Sequence, residues 1–187
     1  MKGTEAFQEL LPLIEDNVPV VHANGFICRE SFALKDRKAN FYMIGSMGLA
    51  SSIGLGVAMY KPEKKVIIID GDGNVLMALG TLAMIAAEAP ENLIHVVIDN
   101  EVYESTGSQR SLSGKVKLEE VAKSTGYKNV LRIDKKEEIK EAFLKFKELP
   151  GPNFLLIKVE PCFDSSTGRV THTPEEITKR FMRAISS

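Results

Sequence analysis

Two apolar runs, Lys65–Asp70 and Leu93–Asp99, each end abruptly on acidic and amide side chains, and a helix-forming stretch separates them. A run of consecutive β-branched residues without polar alternation is a strand buried on both faces, and two such strands joined by a helix make a βαβ crossover. Helices must then cover both faces of the sheet, so this one feature commits the chain to the α/β class with a mostly parallel sheet. Further strands are expected over Pro19–Ala23, Asn40–Ile44, Asn129–Ile133 and Asn153–Glu160. Helices are expected over Thr4–Asp16, Ser31–Lys35, Leu49–Tyr60, Val75–Glu88, Lys117–Thr125 and Lys135–Lys147, and over Pro174–Ile185 after a Thr-Pro start. No repeat, low-complexity tract or linker interrupts this alternation, so residues 1–187 read as a single domain, and 44% hydrophobic content suffices for its core.

In an open parallel sheet, ligands collect outside the carboxyl ends of the strands. Three polar clusters emerge there: Asp70–Asn74, Asp99-Asn100, and the long loop Glu101–Val116, rich in hydroxyls and glycine. Gly71 and Gly73 let the backbone turn sharply and approach a ligand, and the helix that follows offers unpaired N–H groups, which together suit an anion. Asp72 beside them adds a hard negative oxygen, which makes sense only if a cation sits between carboxylate and anion. Mg²⁺ takes a few protein oxygens and completes its octahedron with phosphate and water, and Asn100 offers a second side-chain oxygen. The competing reading, a tight strand-to-helix turn, leaves the second polar tip unexplained. In the block Gly45–Met59, Ala50, Gly54 and Ala58 fall on one helix face, where another backbone approaches closely or where the core is simply tight.

Composition excludes several partners. With 24 basic and 25 acidic residues the formal net charge is −1, which gives no electrostatic case for nucleic acid or an anionic membrane surface. No run approaches the roughly 18 apolar residues of a membrane span. The N-terminal "MKGTEAFQELLPLIEDN" lacks the basic and apolar regions of a signal peptide, so a reducing cytoplasm is expected, with Cys28 and Cys162 as free thiols. His95, inside an apolar strand, is expected to be a satisfied core residue, and His172 a capping or surface residue.

Gly71-Asp72-Gly73-Asn74 followed by Asp99-Asn100 resembles the thiamine diphosphate motif, which opens on Gly-Asp-Gly and closes on Asn-Asn or a close variant. The blocks "NFYMIGSMGLASSIGLGVAM", "IIDGDGNVLM" and "DNEVYESTGSQRS" together look like the cofactor-binding half of the sulfopyruvate and phosphonopyruvate decarboxylases. That resemblance covers nearly the whole chain and is specific from Asn40 through Ser111; "KRFMRAI" near the end is similar to the sulfopyruvate decarboxylase β subunit. It implies a thiamine diphosphate-binding fold in which Asp72, the Asn100 side chain and the Val102 carbonyl hold Mg²⁺. Gly71, Gly73, Asn74 and Tyr103 would meet the cofactor, with Asn24 and Gly25 at its diphosphate end. His22 sits at the same strand end, but Asn24 and Gly25 are the better candidates. The Gly45 carbonyl would accept from the aminopyrimidine, Ser46 lies beside it, and Met47 would be the apolar wedge that bends the cofactor. Asp99 departs from the commoner asparagine, at the position that does not bind metal.

The resemblance also implies what is missing. Such enzymes need a second, pyrimidine domain whose glutamate activates the cofactor, and Glu5, Glu9, Glu15 and Glu30 all read as exposed helix positions, so none is assigned that role. The catalytic group is expected on a separate pyrimidine-domain (α) subunit, and this chain is expected to oligomerise through its small-residue faces. Thiamine diphosphate would serve as the electron sink for loss of CO₂ from a small 2-oxo acid, sulfopyruvate giving sulfoacetaldehyde. Ser105, Thr106, Gln109 and Arg110 are the candidates to bind the anionic tail, unless Arg110 is a solvated surface residue and the hydroxyls only shape the loop. Phosphonopyruvate decarboxylation, an acetolactate synthase-like half and a non-catalytic assembly module remain open. A ferredoxin oxidoreductase subunit is disfavoured because no cysteine cluster is present.

Overall fold

A computed structural model describes residues 1–162 and 167–186. In chain order its elements are α1 (Gly3–Leu10), β1 (Val20–His22), α2 (Phe26–Leu34), β2 (Asn40–Tyr42), α3 (Ala50–Tyr60), β3 (Val66–Gly71), α4 (Asp72–Met77) and α5 (Gly80–Glu88). They continue with β4 (Leu93–Asp99), the short strands β5 (Val102–Tyr103) and β6 (Gln109–Arg110), α6 (Leu118–Thr125), β7 (Asn129–Ile133), α7 (Glu138–Glu148), β8 (Asn153–Lys158) and α8 (Pro174–Ser186). Six strands form one parallel sheet in the order β2-β1-β3-β4-β8-β7.

The apolar runs do what two-sided burial requires. Val66 and Ile68 of β3 join the core on one face with Leu82 and Ile85 of α5, while Ile67 and Ile69 join the other with Phe7 and Leu10 of α1 and Phe143 of α7. β4 and β8 divide in the same way, with Leu93, Val97 and Phe154 on the first face and Ile94, Val96 and Leu155 on the second. Both faces are covered, as a parallel sheet needs.

The differences from expectation have local causes. α1 gives way at Leu11 to a 3₁₀ turn, Leu11–Leu13, because Pro12 has no N–H to continue the helix. α2 begins five residues before the expected Ser31, at Phe26, directly after Gly25 at φ 84°. The expected Val75–Glu88 helix is two helices, because Ala78 leaves helical geometry at φ −125°, ψ 41°, and the first of them already contains Asp72. The loop Glu101–Val116 holds the antiparallel pair β5–β6 and two 3₁₀ turns, Glu104–Thr106 and Leu112–Gly114. The Ala50/Gly54/Ala58 stripe is buried against the sheet, where a Cβ on Gly54 would come within 2.2 Å of Ile68 Cγ1. It is therefore not available for self-association. α8 starts with the reciprocal cap its Thr-Pro start allowed: Thr173 Oγ1 accepts from Glu176 N at 3.2 Å, and Glu176 Oε2 from Thr173 N at 2.8 Å.

Candidate functional site

The strand order reverses direction at β1. From β1 the chain passes outward to β2, then returns through α3 to β3 on the opposite side of β1. Such a reversal leaves a crevice beyond the strand tips, because the two crossovers diverge from it. A cleft lies there, lined by Asn24 and Gly25 from the tip of β1 and Gly71, Asp72, Gly73 and Asn74 from the tip of β3. Met47, Asn100, Tyr103 and Ser105 complete its wall from the neighbouring loops.

Asp72 is 3% exposed, and its Oδ2 accepts from the Ser111 hydroxyl and from Ser113 Oγ at 3.0 Å. Ser113 Oγ also lies 2.8 Å from Asp99 Oδ1. A hydroxyl carries one proton, so Ser113 serves only one of these two carboxylates at a time. Lys158 Nζ neutralises Asp99, 2.9 Å from Oδ2; among the described residues Asp72 has no such counter-ion. Burial pushes the Asp72 carboxyl up from the usual 3.8 to about 6, against the pull of the Ser111 hydroxyl, and the Asp99 charge adds to the rise. A buried carboxylate in this position calls for a cation.

Asn100 shares the cleft wall with Asp72. Asn100 Oδ1 accepts from Val102 N at 3.1 Å and keeps a second lone pair, while its Nδ2 is tied to Glu104 Oε2 at 3.0 Å, which orients the amide. Val102 follows on β5, at the same strand tip. Among the described residues no cluster of three or more His, Cys, Asp or Glu side chains forms a metal nest. Beside the Gly-Asp-Gly turn the cleft thus offers the Asp72 carboxylate and the Asn100 amide, while Val102 lines the adjoining groove; so few protein oxygens suit Mg²⁺ where phosphate and water supply the rest.

Gly73 provides close backbone approach: a Cβ there would lie 2.5 Å from Tyr103 Cε1 and 3.1 Å from Met47 Cε. Asn74 Oδ1 accepts from Gly48 N at 3.0 Å, so this side chain ties the Met47 turn to the Gly-Asp-Gly turn. Asn24 Oδ1 is buried without a hydrogen-bond partner among the described residues, an unsatisfied polar atom aimed where a ligand would lie. These observations fit a bound diphosphate ester and cation. Gly45 and Ser46 are exposed and are not among the residues that line the cleft, with Ser46 at φ 53°. α4, six residues long, contributes less dipole than the long helix expected there.

The loop residues separate. Ser105 lines the cleft and packs near Gly25, whereas Thr106 Oγ1 donates to Gln109 Oε1 at 3.0 Å within an exposed turn. Arg110 lines a neighbouring groove, with Leu112, Lys115 and Pro161, that meets the cleft at Asn100 and Glu160. Glu30 is a correction: it is buried, lines the cleft and accepts from Thr4 Oγ1 at 3.0 Å, because α2 turns that face toward α1. Ser111 and Ser113 bond to Asp72, and Ser113 and Lys158 to Asp99, contacts that no local pattern along the chain connects. A signal existed in the hydroxyl-rich "SLSGK", but only pairing across the fold reveals it.

The histidines stay out of the cleft. His22 is fully buried between Ser31 Oγ at 2.7 Å and the Phe41 carbonyl, and burial together with the Arg37 charge lowers it to about 3, so it is neutral. His95 is a satisfied sheet residue, as expected, with Tyr127 Oη at 3.0 Å from Nδ1 and Asp70 Oδ2 at 3.4 Å from Nε2. His172 lies partly exposed, 3.3 Å from Asp36 Oδ2.

Residues 29–157 match the family model for the C-terminal TPP binding domain of thiamine pyrophosphate enzymes. The chain is 41% identical over 186 residues to a sulfopyruvate decarboxylase of Methanosarcina acetivorans and 39% identical over 182 residues to a phosphonopyruvate decarboxylase of Streptomyces viridochromogenes. It covers 99% and 97% of itself in these alignments but only 47% and 46% of those relatives, so it spans about half their length. Against a sulfopyruvate decarboxylase subunit beta of Methanothermobacter thermautotrophicus it is 38% identical over 185 residues, covering 99% of this chain and 96% of the relative. Among solved structures, the benzoylformate decarboxylase of Polynucleobacter necessarius superposes with a TM-score of 0.72 at 15% identity, over 88% of this chain and 34% of that one.

Proposed function

The chain belongs to the thiamine pyrophosphate enzyme family through its TPP-binding domain, and from that premise we propose that it is the β subunit of a Mg²⁺-dependent 2-oxo acid decarboxylase acting on sulfopyruvate. The observation that carries the reading is the Asp72 carboxylate, which no described cation neutralises, sharing a cleft wall with Asn100 beside a glycine-lined turn. The near end-to-end match to a subunit named beta favours the sulfonate substrate over the phosphonate one.

Asp72, the Asn100 side chain and the Val102 carbonyl would hold the cation, and Asn24, Gly25, Gly71, Gly73 and Asn74 would line the diphosphate. The Gly45 carbonyl and Ser46 would meet the pyrimidine end, with Met47 and Tyr103 packed against the rings. When bound, the cofactor supplies an electron sink for the carboxylate that leaves as CO₂. The chain's own part is to fix the cation, to keep Met47 in place through the Asn74–Gly48 bond, and to present the Ser105 hydroxyl to the substrate. Thr106 and Gln109 hold the turn that carries Ser105, and Arg110 adds positive charge along the adjoining groove.

In this reading none of the cleft's carboxylates, Glu30 among them, activates the cofactor's far end, and a pyrimidine-domain α subunit would complete the site in a hetero-oligomer. The relatives that are about twice the length of this chain's match are consistent with that division. Reconstitution tests it. The chain with thiamine diphosphate and Mg²⁺ should release no CO₂ from sulfopyruvate alone and should do so when the partner is added. Full activity without a partner, or equal turnover of pyruvate by the pair, would defeat the assignment.

A further inference from the structure

Beside the cleft lies a second hollow of about 340 Å³, within the range of small-molecule sites. It shares Asn24, Gly25 and Ser105 with the cleft, so the two spaces are continuous at the tip of β1. Their charges differ. The cleft is lined by the carboxylates of Glu30, Asp72, Glu104 and Glu160; the hollow has no carboxylate among its described lining residues and two guanidinium groups, Arg29 and Arg169.

Arg29 leaves the first turn of α2 and sits over the Phe26 ring, 5.2 Å from its centroid, which limits where the guanidinium can point. Among the described residues neither arginine has a carboxylate at ion-pair distance. The Cys28 thiol between them and the turn donates to the Gly25 carbonyl at 3.2 Å, and burial pushes it up to about 11, so it adds no negative charge. Met43, Ile44 and Val170 supply apolar wall. A hollow with an apolar wall and two arginines that no described carboxylate neutralises suits a planar-face or tetrahedral oxyanion, which a guanidinium grips through two hydrogen bonds.

Resting on the activity proposed above, we propose that Arg29 and Arg169 bind the tetrahedral oxyanion tail of the substrate, a sulfonate or phosphonate, while Ser105 marks the junction where the oxo group enters the cleft. The alternative, that they hold the carboxylate, conflicts with the chemistry. A carboxylate that leaves as CO₂ loses its charge in the transition state, so an arginine clamped on it would stabilise the ground state and slow the reaction. The retained anion has no such conflict. Placing it in the basic hollow leaves the carboxylate on the acidic side of Ser105, where like charge favours its loss.

The test uses 3-sulfopropionate and 3-phosphonopropionate, which keep the tail and lack the oxo group, titrated calorimetrically into the assembled complex loaded with thiamine diphosphate and Mg²⁺. Arg29→Ala and Arg169→Ala should each weaken binding of a tail-bearing probe by roughly ten- to hundredfold, as expected for losing a charge-assisted pair. Thiamine diphosphate affinity and the melting temperature should be unchanged, Arg29→Lys should recover part of the loss, and Lys145→Ala, an exposed charge on α7, should match the wild type. Whichever probe binds more tightly identifies the tail. Unchanged binding in both arginine variants, loss in Arg110→Ala instead, or no binding of either probe to the wild type would overturn the proposal. A wild-type complex that fails to decarboxylate sulfopyruvate yet binds the probes through Arg29 and Arg169 would reject the activity and support the hollow.

Discussion

Asp72 sits under two opposing demands, since its burial favours the neutral form and cation binding requires the charged one. Its folded value of about 6 lies above its unfolded 3.8, so ionisation favours the unfolded chain. The penalty is absent below the unfolded value and fully present above about pH 6, where a shift of this size is worth roughly 3 kcal/mol. Asp72→Asn should therefore raise the melting temperature of the cofactor-free chain at pH 8 and leave it little changed at pH 4, while abolishing Mg²⁺-dependent cofactor binding. In the wild type, Mg²⁺ affinity measured by titration should fall as pH drops through about 6, because protons compete for the same oxygen. A flat Mg²⁺ affinity across that range would remove Asp72 from the metal. Met47→Ala poses a different question. The cation and diphosphate contacts survive, so cofactor affinity should drop severalfold while turnover of the assembled enzyme drops further; equal activity would take Met47 out of the site. Of these residues, Asp72 and Met47 were legible in sequence because the motif fixes their neighbours. Ser111, Ser113, Lys158 and the burial of Glu30 were not, because each depends on a contact between distant segments.

At the scale of elements, the close crossing of α3 over β3 holds the Met47 turn above the Gly-Asp-Gly turn. Gly54 makes that approach possible, and Gly54→Ala should destabilise the chain by about 1–3 kcal/mol through overpacking against Ile68. Thermal melts of the double variant with Ile68→Ala should show less than additive loss, since removing the Ile68 branch relieves the clash. Additive losses would mean that the helix is held elsewhere. Strands β3, β4 and β8 were readable because their apolar runs have one explanation. The break between α4 and α5 was not, since Gly80 is the single weak helix former in "MALGTLAM" and it opens α5, whereas the chain leaves helical geometry at Ala78.

Across the whole molecule, the outward sides of α3 and α5 carry Met59, Tyr60 and Met84, between 55% and 64% exposed, with Met77 at the end of α4 equally open. α3 and α5 are joined by the Ser52–Thr81 hydroxyl contact at 3.3 Å. Exposed apolar area of this kind is the sort of surface a partner covers, and it lies apart from the cleft, whose lining includes no residue of α3 or α5. Met84→Asp should leave the melting temperature of the chain within about 1 °C, as a surface change does, while light scattering shows weakened assembly with the partner subunit. Undiminished assembly would move the interface off α5. No described helix is long and apolar enough to cross a membrane, in keeping with the balanced charge.

The sequence by itself determined the parallel α/β sheet, its core faces and the residues at the strand tips, because strand period, glycine freedom and the polar ends of apolar runs are local properties. Tertiary structure decided everything that depends on two segments meeting. It set Asp72 against Asp99 through Ser113, turned Glu30 inward, hid the small-residue stripe against the sheet and left Arg110 on the adjoining groove. It also gathered Arg29 and Arg169, from opposite ends of the chain, beside one hollow. The physical reason is that burial and Coulomb energies act through space, and spacing along the chain does not specify which charges will share a low-dielectric pocket.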